Sequence, residues 1–163
     1  MPRFLFLNSG YNLRPTEIQG AFGIHQIKKL DGFIEHRRRN AKYWTRRLKP
    51  FRDLLILPSD SPKARHVFFG YPVTVRPGTK LRRAELVSYL ESKGIETRPI
   101  MAGNFADQPV KRQIPCRVSG KLKNSRIVSR NSFFFGNHGG IGDKEKEFIG
   151  DCLTQFLESV PGR

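Results

Sequence analysis

Acidic residues are scarce in this chain: fourteen Asp and Glu stand against thirty Lys and Arg, a formal net charge of +16. Such a balance attracts polyanions, among them nucleic acid, anionic membrane surfaces and nucleotide-linked metabolites, and does not choose between them. Cysteine is nearly absent. Cys116 and Cys152 are the only two, too few for a disulfide scaffold and without metal-ligand spacing, so both are expected as reduced thiols of a cytoplasmic protein. Long apolar runs are also missing. Nothing approaches the roughly twenty residues of a membrane span, and the apolar stretch at 4–7 is too short for a signal-peptide core and meets Asn8 at once. Internal repeats and low-complexity linkers are lacking. No histidine has a cysteine or carboxylate arranged with it for a metal or a nucleophile, so neither is inferred.

At 163 residues, with 37% hydrophobic residues and thirteen Phe, the chain suits one domain with a core of modest size. Residues 3–7 read as a short buried strand. From 15 to 49 the pattern is helical, with Ile27, Leu30, Ile34, Ala41, Trp44 and Leu48 on one face and Arg39, Lys42, Arg46 and Lys49 as a basic ridge on the other. Arg37 interrupts the apolar stripe. Gly32 is the expected bend, because glycine weakens a helix interior. The run Arg37-Arg38-Arg39 is either a solvated helix face or part of a surface for nucleic acid or another polyanion.

Residues 58–65 read as a loop and 66–75 as a strand, which Pro72 demotes to an edge or marks with a bulge. The stretch 82–93 is an amphipathic helix through Leu86, Val87 and Leu90, and Gly94 ends it as a left-handed cap. Residues 95–98 form a strand, 99–123 an irregular excursion of the kind that carries function, 124–131 a short helix and 132–135 a third strand. After the glycine-rich 136–142, Asp143 caps a final helix with an apolar face of Phe148, Ile149, Cys152, Leu153, Phe156 and Leu157. The order predicts an α+β domain: a small sheet packed by helices, preceded by a long helical segment.

Three stretches carry chemistry. In the first, Gly10-Tyr11-Asn12-Leu13-Arg14-Pro15-Thr16-Glu17, a polar loop leads into a helix start, with Pro15 in the first turn and Glu17 near the positive end of the dipole. Its amide, phenol and guanidinium groups suit a phosphate. The second runs Gly94-Ile95-Glu96-Thr97-Arg98-Pro99-Ile100-Met101-Ala102-Gly103-Asn104, with Gln108-Pro109 following; Pro99 holds Arg98 extended, a good presentation for a guanidinium that meets a diphosphate. The third is Phe134-Phe135-Gly136-Asn137-His138-Gly139-Gly140-Ile141. In order and spacing the three resemble the DegT-type, pyridoxal-phosphate-dependent sugar aminotransferases over nearly the whole chain. The second stretch looks closest to the branch of dehydrases that act on nucleotide-linked 4-keto-6-deoxyhexoses, where a histidine replaces the cofactor-holding lysine; aminotransferase and dehydrase both remain open.

The resemblance implies the small C-terminal domain of a fold-type I enzyme, with residues 1–14 as an interdomain arm left from the large domain and 15–163 as the small domain. It implies that Asn12 reaches the cofactor phosphate of a neighbouring subunit across a dimer interface, flanked by Tyr11 and Arg14. It places Arg98, Asn104 and His138 on the substrate side, facing a nucleotide-linked keto sugar. His138 matches the family's His-Pro turn, here with Gly139 for the proline, so a looser turn is expected. The groups that hold pyridoxal or pyridoxamine phosphate lie in the family's large domain, so no catalytic residue is expected in this chain, nor cofactor binding or activity without that domain. The rival reading is a noncatalytic, basic polyanion-binding protein. No membrane association is expected.

Overall fold

The computed structural model describes residues 11, 13–101 and 104–161. The expected strand at 3–7 lies outside them. The chain divides into two compact units, residues 1–32 and 33–163.

The first unit contains α1 (Glu17–Ile27), N-capped by extended Thr16, whose backbone N–H donates to Gln19 Oε1 at 2.9 Å. Pro15 therefore stands just before the cap and not in the first turn. α1 buries none of its residues, and Ile18, Phe22, Ile24 and Ile27 are 60–73% exposed. The long helical segment is broken at Lys28 and Lys29 and not bent at Gly32: the Lys29 N–H reaches back three residues to the Gln26 carbonyl at 3.0 Å and closes α1 in a tightened turn. Gly32 lies inside the next helix, α2 (Leu30–Leu48). Of the apolar stripe, only Ala41, Trp44 and Leu48 enter a core. The ridge of Arg39, Lys42, Arg46 and Lys49 is exposed.

The second unit is built on a four-stranded antiparallel sheet of order β1-β2-β4-β3. Its strands are β1 (Leu55–Ile56), β2 (Gly70–Val75), β3 (Thr97–Pro99) and β4 (Ser132–Gly136). In register, Tyr71 faces Phe135 and Val73 faces Phe133; the two-residue alternation of a strand puts these four and Val75 on one buried face. Trp44 of α2 meets Phe135 edge-on at 4.9 Å and Tyr71 at 5.4 Å between ring centres, and its indole N–H donates to the Lys146 carbonyl at 3.0 Å. Helices α3 (Arg83–Ser92) and α5 (Asp143–Glu158) pack together, with Leu86, Leu90, Leu153 and Leu157 fully buried. A short α4 (Lys123–Asn131) precedes β4, and the 99–123 excursion carries two 3-10 turns, Phe105–Asp107 and Pro109–Gln113.

Several local expectations are corrected. β2 begins at Gly70 and not at residue 66, because Phe68 adopts a left-handed φ of 57° and its N–H donates to the His66 ring at 2.7 Å, closing a turn. β2 is an inner strand despite Pro72; β1 pairs only with Thr74 and Val75, so at Pro72 the strand has β4 as its sole neighbour. The cap of α5 is Gly142, while Asp143 is its first residue and takes an ion pair from Lys146. Gly94 does close α3 with φ of +78°. Both cysteines are free thiols, Cys116 exposed and Cys152 buried. No helix among the described residues is long and apolar enough to cross a membrane.

Candidate functional site

Antiparallel pairing of Gly70 with Gly136 brings the entry to β2 and the exit from β4 to one end of the sheet. The pairing of Arg98 with Phe134 brings β3 alongside. At this end lies a cavity of about 580 Å³ whose walls include Arg37, Phe69, Glu96, Arg98, Phe134 and His138. Gly70 makes the arrangement possible: a Cβ there would stand 2.3 Å from Cδ2 of Phe134, whose ring forms part of the wall.

His138 sits on the glycine-rich turn, which is closed by two hydrogen bonds. The Ile141 N–H donates to the His138 carbonyl at 3.0 Å, and the Gly140 N–H donates to His138 Nδ1 at 3.1 Å. A second grip comes from α2, where His36 Nε2 and Asn40 Nδ2 both donate to the Ile141 carbonyl, at 2.7 and 3.2 Å. With Nδ1 occupied as an acceptor, a neutral His138 carries its proton on Nε2. That proton is free to meet a hydroxyl or carbonyl oxygen.

Arg98 lines the same cavity, paired with the Glu96 carboxylate. Both partners are more than 60% exposed, so the pair is worth at most about 1 kcal/mol and opens readily to a stronger anion. The structure thus brings Arg98 and His138 together. Asn104 is not among the residues lining this cavity: it is buried, its Oδ1 accepts the Ala106 N–H at 3.2 Å, and it caps the turn at Phe105–Asp107. Tyr11 and Arg14 belong to the first unit and are exposed, Tyr11 to 94%. Asn12 lies outside the described residues.

Arg37 was not legible as a site residue. From sequence it is one of three arginines on a basic helix, yet the three part company. Arg38 donates to the His66 carbonyl and, at 3.3 Å, to Asp60; Arg39 meets the His36 ring at 3.1 Å; Arg37 lines the cavity, 5.8 Å over the Phe69 ring. The only available signal was the charge it puts into an apolar stripe.

The cavity offers two guanidinium groups, the His138 imidazole and the carboxylates of Glu96 and Glu145, and its wall has no lysine, cysteine or serine. The one buried lysine among the described residues, Lys146, gives its ammonium to Asp143 and lies 5.0 Å over the Tyr43 ring. That hydrogen bond holds the Asp143 carboxyl below the usual carboxylate range. Lys146 thus has a structural place at the start of α5 and none in the cavity. Among the described residues no three of His, Cys, Asp and Glu are grouped to hold a metal. The side chains of the cavity therefore fit the recognition of a polar ligand, and none of them fits the covalent attachment of pyridoxal phosphate.

The sequence model of the DegT/DnrJ/EryC1/StrS aminotransferase family matches residues 2–154. GDP-4-keto-6-deoxy-D-mannose 3-dehydratase of Escherichia coli O55:H7 is 38% identical over 136 residues, which are 83% of this chain and 34% of that protein. dTDP-4-dehydro-2,6-dideoxy-D-glucose 3-dehydratase of Saccharopolyspora spinosa is 32% identical over 157 residues, 95% of this chain and 33% of that protein. The solved structure of the E. coli GDP-4-keto-6-deoxy-D-mannose 3-dehydratase with bound hydrated pyridoxal phosphate aligns at a TM-score of 0.79 and 34% identity, over 92% of this chain and 38% of that one. The chain thus spans about a third of the length of the curated relatives it matches.

Proposed function

Because the chain belongs to the DegT/DnrJ/EryC1/StrS aminotransferase family, we propose that it forms the small C-terminal domain of a pyridoxal-phosphate-dependent enzyme acting on a nucleotide-linked keto sugar. Its part is to supply the substrate-side wall of the active site. The observation that carries this reading is the cavity at the end of the sheet, where the His138 Nε2 proton and the Arg98 guanidinium face the same space. His138 donates to a sugar oxygen. Arg98 exchanges Glu96 for a phosphoryl oxygen of the substrate, with the larger strength of a charge-assisted pair. Both relatives described above are 3-dehydratases, which supports the dehydrase branch over transamination.

Residues 1–14 act in this reading as the arm between domains, and Asn12, flanked by Tyr11 and Arg14, meets the cofactor phosphate across a dimer interface. The cofactor supplies the electron sink for the reaction. A large domain supplies the group that holds it, so this chain alone neither retains pyridoxal phosphate nor turns over substrate. The work is cytoplasmic, as its nucleotide-linked substrate requires.

A chimera of this chain with the large domain of the E. coli O55:H7 relative tests the proposal. Arg98→Ala and His138→Ala should raise the KM for GDP-4-keto-6-deoxy-D-mannose and leave cofactor retention intact. Asn12→Ala should do the reverse, weakening cofactor retention by about ten- to a hundredfold, the scale of one lost hydrogen bond to a charged group. A chimera whose KM ignores both cavity substitutions while cofactor and fold are intact refutes the substrate-side assignment.

A further inference from the structure

We infer that Arg37 is a second anion-recognising residue of this cavity and that the phosphoryl groups of a diphosphate-containing ligand lie between it and Arg98; the identity of that ligand as a nucleotide sugar rests on the reading above. Arg37 takes part in none of the ion pairs among the described residues. Its Nε is shielded from solvent and has no hydrogen-bond partner, and the guanidinium stands 5.8 Å over the ring of Phe69. A partly desolvated cation without a counter-charge is unfavourable until an anion arrives. A guanidinium held over an aromatic ring is a planar fork in a fixed orientation, suited to two oxygens of one phosphoryl group.

The orientation is built from below. Asn137 is completely buried, and its Nδ2 donates to the carbonyls of Arg37 and Phe68, both at 3.0 Å. One side chain thereby ties α2 to the residue preceding Phe69, so the guanidinium and its aromatic support are set by the same clamp. Glu96 is already committed to Arg98. Glu145, the other carboxylate of the wall, forms no ion pair with either arginine. Two guanidinium groups and two carboxylates thus share the wall, and Arg37 is the guanidinium left without an ion pair for a phosphoryl group, while Arg98 reaches a second one by exchanging Glu96.

Inorganic pyrophosphate titrated into the full 163-residue chain, followed through arginine side-chain and backbone amide resonances, tests the assignment. The Arg37 Nε–H signal and the amides of residues 136–140 should shift. Arg37→Gln should weaken binding by about ten- to a hundredfold, and Arg37→Lys by less, since it keeps charge and loses the fork. Lys42→Gln, on the exposed basic ridge, should change affinity less than twofold. If Arg37→Gln does not fold, Arg37→Lys against Lys42→Gln decides. Equal losses from Arg37 and Lys42 substitutions, or shifts confined to the ridge, overturn the inference. A second arm uses GDP-4-keto-6-deoxy-D-mannose. Pyrophosphate binding through Arg37 without sugar-nucleotide binding leaves the phosphate site standing and removes the proposed substrate. Sugar-nucleotide binding indifferent to Arg37 does the opposite.

Discussion

Burial of the Tyr71 phenol among Trp44, Phe135 and Thr45 pushes its pKa from 10.0 up to about 12, the hydrogen bond with Thr45 at 2.9 Å only partly opposing the change. The folded protein holds this proton more tightly than the unfolded chain does. The associated stability is therefore fully present below pH 10 and is lost as pH rises from about 10 to about 12, each tenfold difference in proton affinity being worth about 1.4 kcal/mol. Urea unfolding at pH 9 and pH 11.5 should show a loss of about 2 kcal/mol in the native protein and a much smaller loss in Tyr71→Phe. An equal loss in both would assign the alkaline sensitivity elsewhere. The residue scale is also where sequence reading is weakest. Trp44 is legible as core because its neighbours Ala41 and Leu48 repeat at helical spacing. Arg37, seven residues before it on the same helix, has no periodicity to betray a cavity assembled by strands that begin at residues 70, 97 and 132.

Among the elements, a strand and a helix predict opposite responses to one methyl group. At Gly70 of β2 an added Cβ would lie 2.3 Å from the Phe134 ring, whereas at Gly32 of α2 nothing lies within 4 Å. Gly70→Ala must move a strand or a ring, with a loss of about 1–3 kcal/mol. Because Phe134 lines the cavity, the same change should weaken pyrophosphate binding. Gly32→Ala, inside α2, should stabilise by about 0.5–1 kcal/mol. Denaturant midpoints of the two variants check the pair, and a neutral Gly70→Ala would mean that Phe134 is not held as described. Elements also differ in how far their sequences disclose them. Helices α3 and α5 announce themselves by apolar spacing and, for α3, by the positive φ that Gly94 tolerates. β1 does not. Its two residues become a strand only by pairing with Thr74 and Val75, some twenty residues away, and no local pattern of that length differs from a loop. The turn at 66–69 hides for a related reason: the aromatic run reads as strand, and the His66 side chain that closes the turn competes with the ladder. In the site, Arg98 and His138 were legible through motifs, while their meeting depends on the register of β3 and β4.

At the scale of the whole molecule, every core residue among those described lies after Gly32, in the second unit, and α1 contributes none. α1 is eleven residues long, below the about 12–15 at which even good helix formers hold a helix in water alone. Its exposed Ile18 and Phe22 share one side, with Ile24 and Ile27 on the other. A helix that is apolar around its circumference is normally buried on more than one side. A surface of this kind in a lone chain drives association. The full chain should therefore self-associate with rising concentration in sedimentation velocity, and Ile18→Gln with Phe22→Gln should shift it toward monomer. A chain starting at Lys28, which keeps α2 whole, should remain monomeric and unfold cooperatively, with the near-UV signal of Trp44 preserved. A strictly monomeric full chain at high concentration would remove α1 as an associating surface. Loss of cooperative folding in the shortened chain would show that the second unit does not stand on its own core.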